Sequence, residues 1–465
     1  MLYKENISLM NCCLPVRDLR HLAPPQGLLA ISGILKKMGF DYTLVNSSEA
    51  IPPDHLNTSS LADVLGGLNS NLVGLSVWDS VLPFVIPAIR LAKQRRPDLF
   101  VILGGPAAST VGPKAISEFP WIDCVVAGEG ETGLPGVLSF LSGQFRTPHD
   151  LPAGVHLRRQ GNVMSGKSPR TRLKGCRIAA LDYTLFDFSK YGRFEVSTSR
   201  GCVHNCRFCS VNSAWGKGIR LRPMASVLGE IFRLVNTIKT DLIHVIDDSF
   251  LSSPDRVKAF CKGFQELRKD SKDLRFSCYA RIDDLTPSMV DLLAKSGCAG
   301  LFTGLESSRL KDNSISLRGC LGLISELSRD FNVMASLIWG DPEESKADFE
   351  TTLAVSAKLL DFSENVAVNL YQLAPLSGTF YAKHHRYEYY DSKNISEFVY
   401  PGYLPPLSAD EEAEAMIRLH PEIFPAFYRV KTPFFHWKRQ RVKEFLKDPW
   451  TGCHTGAISH GAAWS

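Results

Sequence analysis

Three cysteines stand close together in Ser197-Thr-Ser-Arg-Gly-Cys202-Val-His-Asn-Cys206-Arg-Phe-Cys209, at the spacing C-x3-C-x2-C. They follow a short apolar run, Phe194 to Ser197, that reads as a strand. A loop this tight turns three thiolates toward one point. Soft thiolate ligands suit iron–sulfur centres, and three of them hold three irons of a [4Fe–4S] cube. The fourth iron then has no protein ligand and is open to a substrate or cofactor. Phe208, just before the third cysteine, puts an aromatic face beside such a cluster. Half of a zinc site is the competing reading, but no second Cys or His pair follows at metal-finger spacing. A chance grouping of buried thiols is the plain alternative.

Such a loop needs a rigid frame. From residue 191 onward, β-rich runs at Phe194–Ser197, Leu242–Ile246, Arg275–Ile282, Leu301–Leu305, Met334–Trp339 and Val366–Leu373 alternate with helical periodicity. The helical segments are Val227–Val235, Val257–Leu267, Ser288–Lys295, Leu317–Leu327 and Asp348–Leu360. Upstream, apolar runs at Ile7–Cys13, Tyr42–Val45, Leu72–Trp78, Phe100–Leu103 and Cys124–Ala127 alternate with helices in the same way. Continuous apolar strands between helices predict a parallel sheet covered on both faces. Five such units predict a doubly wound, Rossmann-like domain, whose ligands bind outside the carboxyl ends of the strands. Those ends carry Trp78-Asp79-Ser80, Gly104-Gly105-Pro106 and Gly128-Glu129-Gly130-Glu131.

The cysteine motif in this setting resembles the radical S-adenosylmethionine (SAM) superfamily. Pro24-Pro25-x-Gly27, Gly74-Leu-Ser76-Val-Trp78, Leu103-Gly104-Gly105-Pro106 and Gly128-Glu129-Gly130-Glu131, in that order upstream of the triad, look like the cobalamin-binding domain of cobalamin-dependent (class B) radical SAM enzymes, methyltransferase type. The resemblance covers roughly residues 1–145 and 190–380. It implies an α/β chain: a cobalamin-binding Rossmann-like domain over 1–145, a linker over 146–190, a partial (β/α)6 TIM-type barrel over 191–385, and a small, mostly helical, substrate-shaping region over 386–465. It also implies three cofactors: a [4Fe–4S] cluster on Cys202, Cys206 and Cys209, SAM on the open iron, and cobalamin cycling through methylcobalamin.

Residue by residue, the match is at strand ends, where β/α barrels place their chemistry. Asp247-Asp248-Ser249-Phe250 resembles the family's Asp-Asp-x-Phe near the SAM amino and carboxylate groups; pairing with Arg256 or Lys258 is the other reading. Arg281 matches the family's third-strand arginine, with an ion pair to Asp283 or Asp284 as the alternative. Glu306 in Gly304-Leu-Glu-Ser matches the family's acceptor for ribose hydroxyls or the SAM ammonium. Ser336 and Ile338 fall where the family lines ribose and adenine, although Trp339-Gly-Asp-Pro-Glu departs from the usual Gly-Leu/Phe-Pro-Gly. Leu373, opening Leu-Ala-Pro-Leu-Ser-Gly-Thr379-x-Tyr381, resembles the family's closing segment.

For cobalamin, the resemblance assigns Pro25, Gly27, Ser76, Trp78, Asp79, Ser80, Gly104, Gly105, Pro106, Gly128, Glu129, Gly130 and Glu131. The Asp-x-His-x-x-Gly signature that gives cobalt a histidine is absent; Asp18-Leu-Arg-His21 has the wrong spacing and no glycine, and His21 reads as a polar loop residue. This implies cobalamin bound with neither base nor histidine beneath the metal. Trp78 and Asp79 are then the residues under the corrin, with Trp78 as plain sheet core the competing reading.

The 465-residue chain is 44% hydrophobic and 22% charged, which suits a globular protein with several cores. A net charge of +5 without a Lys/Arg run, and no DNA-binding motif, gives no sign of a nucleic-acid partner. No signal peptide or long apolar span is expected, and the twelve cysteines, mostly scattered on apolar strands, read as buried thiols. The expectation is a cytoplasmic enzyme served by an external one-electron reductant such as flavodoxin or ferredoxin. Its expected reaction moves a methyl from SAM through cobalamin to an unactivated carbon of a small molecule, peptide or protein residue. The alternatives are a non-methylating rearrangement, cyclisation or oxidation on the same cofactors, and a cobalamin or redox sensor. The aromatic stripe Ile417-x3-Pro-x2-Phe424-x2-Phe427 reads either as helix core or as part of a substrate pocket.

Overall fold

The computed structural model describes residues 6–447 apart from 15, 17–19, 21, 53–54, 145–146, 167–180, 182, 184–186, 308–314 and 391–409. His21 therefore lies outside the described residues. Five strands, β1 (Ile7–Cys12), β2 (Tyr42–Asn46), β3 (Leu72–Val77), β4 (Phe100–Gly104) and β5 (Cys124–Val126), run parallel in the order β2-β1-β3-β4-β5. Every residue of β1 is buried, because helices cover both faces; the edge strand β2 is largely half-exposed. This is a doubly wound order, whose crevice lies at the carboxyl ends of β1 and β3.

The sheet does not stop at residue 145. β6 (Val155–Arg159) and β7 (Asn162–Ser165) extend it from β5 as an antiparallel hairpin. The stretch was expected to be a polar connector. Its strand character rests on Val155 and Leu157, which point into the core between half-exposed His156 and Arg158. Gln160 and Gly161 close the hairpin with φ of 50° and 80°, the backbone a two-residue type I′ turn demands.

The second sheet contains β8 (Phe194–Val196), β11 (Leu242–Val245), β12 (Arg275–Arg281), β13 (Cys298–Glu306), β14 (Asn332–Trp339) and β15 (Val366–Gln372). They lie side by side in chain order, all parallel, as an open partial barrel. Between β8 and β11, β9 (Ser199–Arg200) and β10 (Arg220–Leu221) form a short antiparallel ladder that brackets the cysteine loop. The crossover helices start where the sequence provides caps: Thr286, Ser316 and Ser345 accept from the N–H groups of Met289, Gly319 and Asp348. The earlier helix Pro254–Asp270 packs Phe260 and Phe264 against Phe276 of β12, with ring centroids 4.9–5.5 Å apart.

The described part of the C-terminal region packs on both domains. β16 (Tyr387–Tyr389) pairs with β17 (Tyr428–Val430). Helix Glu411–Leu419 sends Ala413 and Ile417, with Ile423, Phe424 and Phe427, into the core of the first domain, so the aromatic stripe is core. Glu412 pairs with Arg90 there. Helix Phe435–Lys447 puts Phe435 and Val442 against Trp339, Phe349 and Leu353 of the barrel. Among the described residues, no helix is long and apolar enough to cross a membrane.

Candidate active site

A cavity of about 510 Å³ opens at the carboxyl ends of β11–β15, beside the cysteine loop. Seven of the eight residues assigned to SAM line it: Phe208, Asp248, Arg281, Glu306, Ser336, Ile338 and Leu373. Asp247 does not. Its carboxylate is buried and accepts four hydrogen bonds, from the backbone N–H and hydroxyl of both Thr198 and Ser199, at 2.5–3.1 Å. Burial pushes its pKa up, and those donors oppose the rise. Asp247 thus holds the entry to the cysteine loop, and only its neighbour faces the cavity. Asp248 accepts from the Gly201 N–H at 3.1 Å, and burial pushes it up to about 6.

The cysteine loop adjoins this cavity through Phe208 and through contacts of Cys206 and Cys209 with lining residues. Burial raises the Cys209 thiol, the Val211 N–H opposes this, and the charges of Asp248, Cys202 and Glu306 raise it further. Arg281 Nη1 donates to Cys206 Sγ at 3.4 Å, while Nη2 bonds Asp283 at 2.8 Å. The ion pair with Asp283 is therefore present, and the same side chain lines the cavity beside the cysteine loop. Among the described residues, no three His, Cys, Asp or Glu side chains close on a single metal ion. Three thiols within one eight-residue loop, with a guanidinium on one sulfur, fit a thiolate-ligated cluster.

Glu306 has an unusual backbone. It sits at φ 65°, in the left-handed region, where the register with β14 slips between Gly304 and Glu306. Its side chain folds over Gly304, where a Cβ would meet Oε1 at 2.2 Å. That explains the Gly-x-Glu spacing: the acid reaches the cavity only across a residue with no side chain.

The Trp-Gly-Asp-Pro-Glu departure also has a local cause. Asp341 accepts from the Tyr381 hydroxyl at 2.5 Å, and its carbonyl accepts from Thr432 at 2.9 Å. Glu344 accepts from the Gly340 N–H at 3.0 Å and pairs with Lys438 at 2.9 Å, both side chains fully buried. Arg207 stacks on Phe380 at 4.0 Å, and its carbonyl accepts from the Phe380 N–H, so the closing segment is packed on the cysteine loop.

Sequence reasoning missed Ser249, Tyr279, Phe302, Tyr371 and Gln372, which also line the cavity. The signal was available. On a strand every second residue shares a face, so Tyr279 goes with Arg281, Phe302 with Glu306, and Tyr371 with Leu373.

At the other domain, Trp78 is half-exposed beyond the end of β3, so it is not sheet core. Burial raises the pKa of Asp79 beside it. Ser76 lies in β3, and Ser80 is in the turn after it. Gly105 has φ 91°, and a Cβ there would meet the Val77 N at 2.8 Å and Ser76 Oγ at 2.9 Å, so only glycine fits. Gly104 and Pro106 bracket it at the start of helix Gly105–Thr110. Gly128, at φ 103°, is held by Ser109 Oγ at 3.0 Å. Pro25 caps helix Gln26–Met38, and a Cβ on Gly27 would meet nothing within 4 Å. Gly130 abuts Ile31. Among these glycines, Gly27 has open space where a Cβ would sit, so a ligand can approach the backbone there. Glu129 and Glu131 are different. They were assigned to cobalamin, but they form ion pairs with Arg220 and Arg200 of the barrel, at 2.8 and 2.6 Å.

Comparison with known proteins agrees with this layout. The B12 binding domain family matches residues 14–138, and the radical SAM superfamily matches residues 196–354. An uncharacterized methyltransferase of Pyrococcus horikoshii is 23% identical over 354 residues, covering 73% of this chain and 75% of that one. Anaerobic magnesium-protoporphyrin IX monomethyl ester cyclase of Rubrivivax gelatinosus is 23% identical over 295 residues, covering 61% of this chain and 52% of that one. In structure, the radical SAM methyltransferase TsrM of Kitasatospora setae, solved with cobalamin and a [4Fe–4S] cluster bound, superposes with a TM-score of 0.69. That match has 19% identity and covers 96% of this chain and 91% of that one, a likeness of fold. With both domain families matched in this order over more than half of its length, the chain belongs to the cobalamin-dependent radical SAM enzymes.

Proposed function

We propose that this chain is a methyltransferase that moves a methyl group from SAM to an unactivated carbon of a small molecule, peptide or protein residue. The observation that carries the proposal is the cavity lined by Asp248, Arg281 and Glu306 beside the cysteine loop, with Arg281 bonded to Cys206 and the loop joined by ion pairs to the corrin-type domain. When bound, the cluster supplies the electron that cleaves SAM, and the corrin supplies the carrier for the methyl group. The protein's own part is placement. Asp248 and Glu306 present carboxylates to the SAM ammonium. Arg281 holds the Cys206 sulfur and steadies the loop. Ser336 offers a hydroxyl to the ribose, and Phe208, Ile338 and Leu373 exclude water. Nitrogen and oxygen acceptors are nucleophilic already and need neither cofactor, which leaves carbon or phosphorus, and carbon is the acceptor in this reading. An external one-electron donor, such as flavodoxin or ferredoxin, belongs to this reading. None of the ten described cysteines is in a disulfide, in keeping with a reducing, cytoplasmic setting.

The cyclase relative favours a second reading, ring closure without methylation on the same cofactors. Incubating the reduced, reconstituted protein with methyl-deuterated SAM and candidate acceptors separates the two. Deuterated methyl in product, with one 5′-deoxyadenosine per turnover, is the expected result. 5′-Deoxyadenosine with product lacking the label would establish the second reading. Cys206→Ala should abolish the cluster absorbance and all SAM cleavage, and a variant that still cleaved SAM would overturn both.

A further inference from the structure

Glu129 ends the loop after β5 and caps helix Gly130–Leu141, whose first turn carries Glu131. On the barrel side, Arg200 and Arg220 face each other across the β9–β10 ladder, two residues before Cys202 in the case of Arg200. Arg200 donates to Glu131 at 2.6 Å and lies 3.7 Å from Glu129; Arg220 donates to Glu129 at 2.8 Å. The four side chains are only 3–16% exposed. Both arginines also address Trp215, Arg220 through its carbonyl at 3.4 Å and Arg200 over its ring at 5.7 Å. Two acids and two arginines make this set neutral. Buried pairs of this kind add little net stability but define a relative position, because any shift leaves a charge uncompensated. The connection continues inward. Ser199, beside Arg200, is held by Asp247, and Gly201 by Asp248 at the cavity.

We propose that Glu129 and Glu131 are positioning residues that fix the cysteine loop, and with it the cluster, relative to the corrin on the first sheet. They thereby couple SAM cleavage to methyl delivery. The coupling half of this inference rests on the function proposed above; the positional half does not.

The test is the Glu129→Gln/Glu131→Gln double variant, with both cofactors loaded. Absorbance should show cobalamin and cluster retained. With both centres in paramagnetic states, pulsed EPR should show the distance between them broadened or shifted relative to the parent. 5′-Deoxyadenosine formed per product should rise roughly fivefold or more, the lower end of ordinary coupling between sites. The exchanged pair Glu131→Arg/Arg200→Glu should recover part of both effects. An unchanged distance distribution in the double variant would overturn the proposal. Loss of cobalamin alone would also overturn it, since the acids would then hold the corrin directly. Should the double variant fail to fold, Arg200→Lys, which keeps the charge but not the fork, gives the same distance measurement. If no acceptor is ever methylated, the function reading fails while the distance measurement still decides the positional claim.

Discussion

Asp248 and Asp247 are neighbours with opposite employment, and the difference is one of partners. Asp247 has four donors and no access to the cavity. Asp248 has one backbone donor and a pKa raised to about 6 by burial. Because the folded value lies above the ordinary carboxylate range, its protonated form favours folding below that range, and the contribution is lost as pH rises through about 6. A SAM ammonium needs the opposite, ionised form. SAM affinity should therefore fall as pH drops through about 6, and Asp248→Asn should remove that dependence. The variant should also weaken binding about tenfold to a hundredfold, for one charge-assisted hydrogen bond of about 1.5–3 kcal/mol. Isothermal titration of the cluster-loaded protein from pH 5 to 8 checks both. At this scale the triad and the strand-end residues were legible, because each lies within a few residues of a recognisable strand end. The partners of Glu129 and Glu131 were not. They come from 91 and 69 residues away, and a charge alone does not say which opposite charge it will meet.

Among the elements, the parallel strands were read from unbroken apolar runs, and the observed spans agree to within a few residues. The β6–β7 hairpin was missed because strands of five and four residues, with only Val155 and Leu157 buried, carry little apolar signal. The C-terminal helix Phe435–Lys447 is a harder case. Its Lys438 ends in a fully buried pair with Glu344, a fate that a lysine in a basic, aromatic stretch does not announce. Burial raises the Glu344 pKa, and Lys438 opposes the rise. Lys438→Met should cost roughly 3–5 kcal/mol by stranding the carboxylate, and adding Glu344→Gln should restore part of that. Urea unfolding of the two variants measures the difference.

For the whole molecule, the C-terminal region sets the cooperativity. Ile417 and Phe424 belong to the core of the first domain, while Phe435 and Val442 belong to the barrel, so neither domain can lose this segment alone. Trp121 of the first domain and Trp339 of the barrel should therefore report one coincident unfolding transition. Phe424→Ala, a fully buried phenylalanine in the first domain, should shift both reporters together by about 3–5 kcal/mol. Two separated transitions in the parent would refute the linkage.

Glu306 stands at φ 65° where glycine or asparagine would rest at ease. A backbone held there costs on the order of 1–3 kcal/mol, and this chain carries that cost at a cavity wall. The position therefore sets durability against use. Glu306→Gly and Glu306→Asn should melt at higher temperature than the parent and bind SAM poorly. A screen for heat resistance alone would drift toward an inert protein at this site, and any effort to toughen the enzyme should leave residue 306 outside the library.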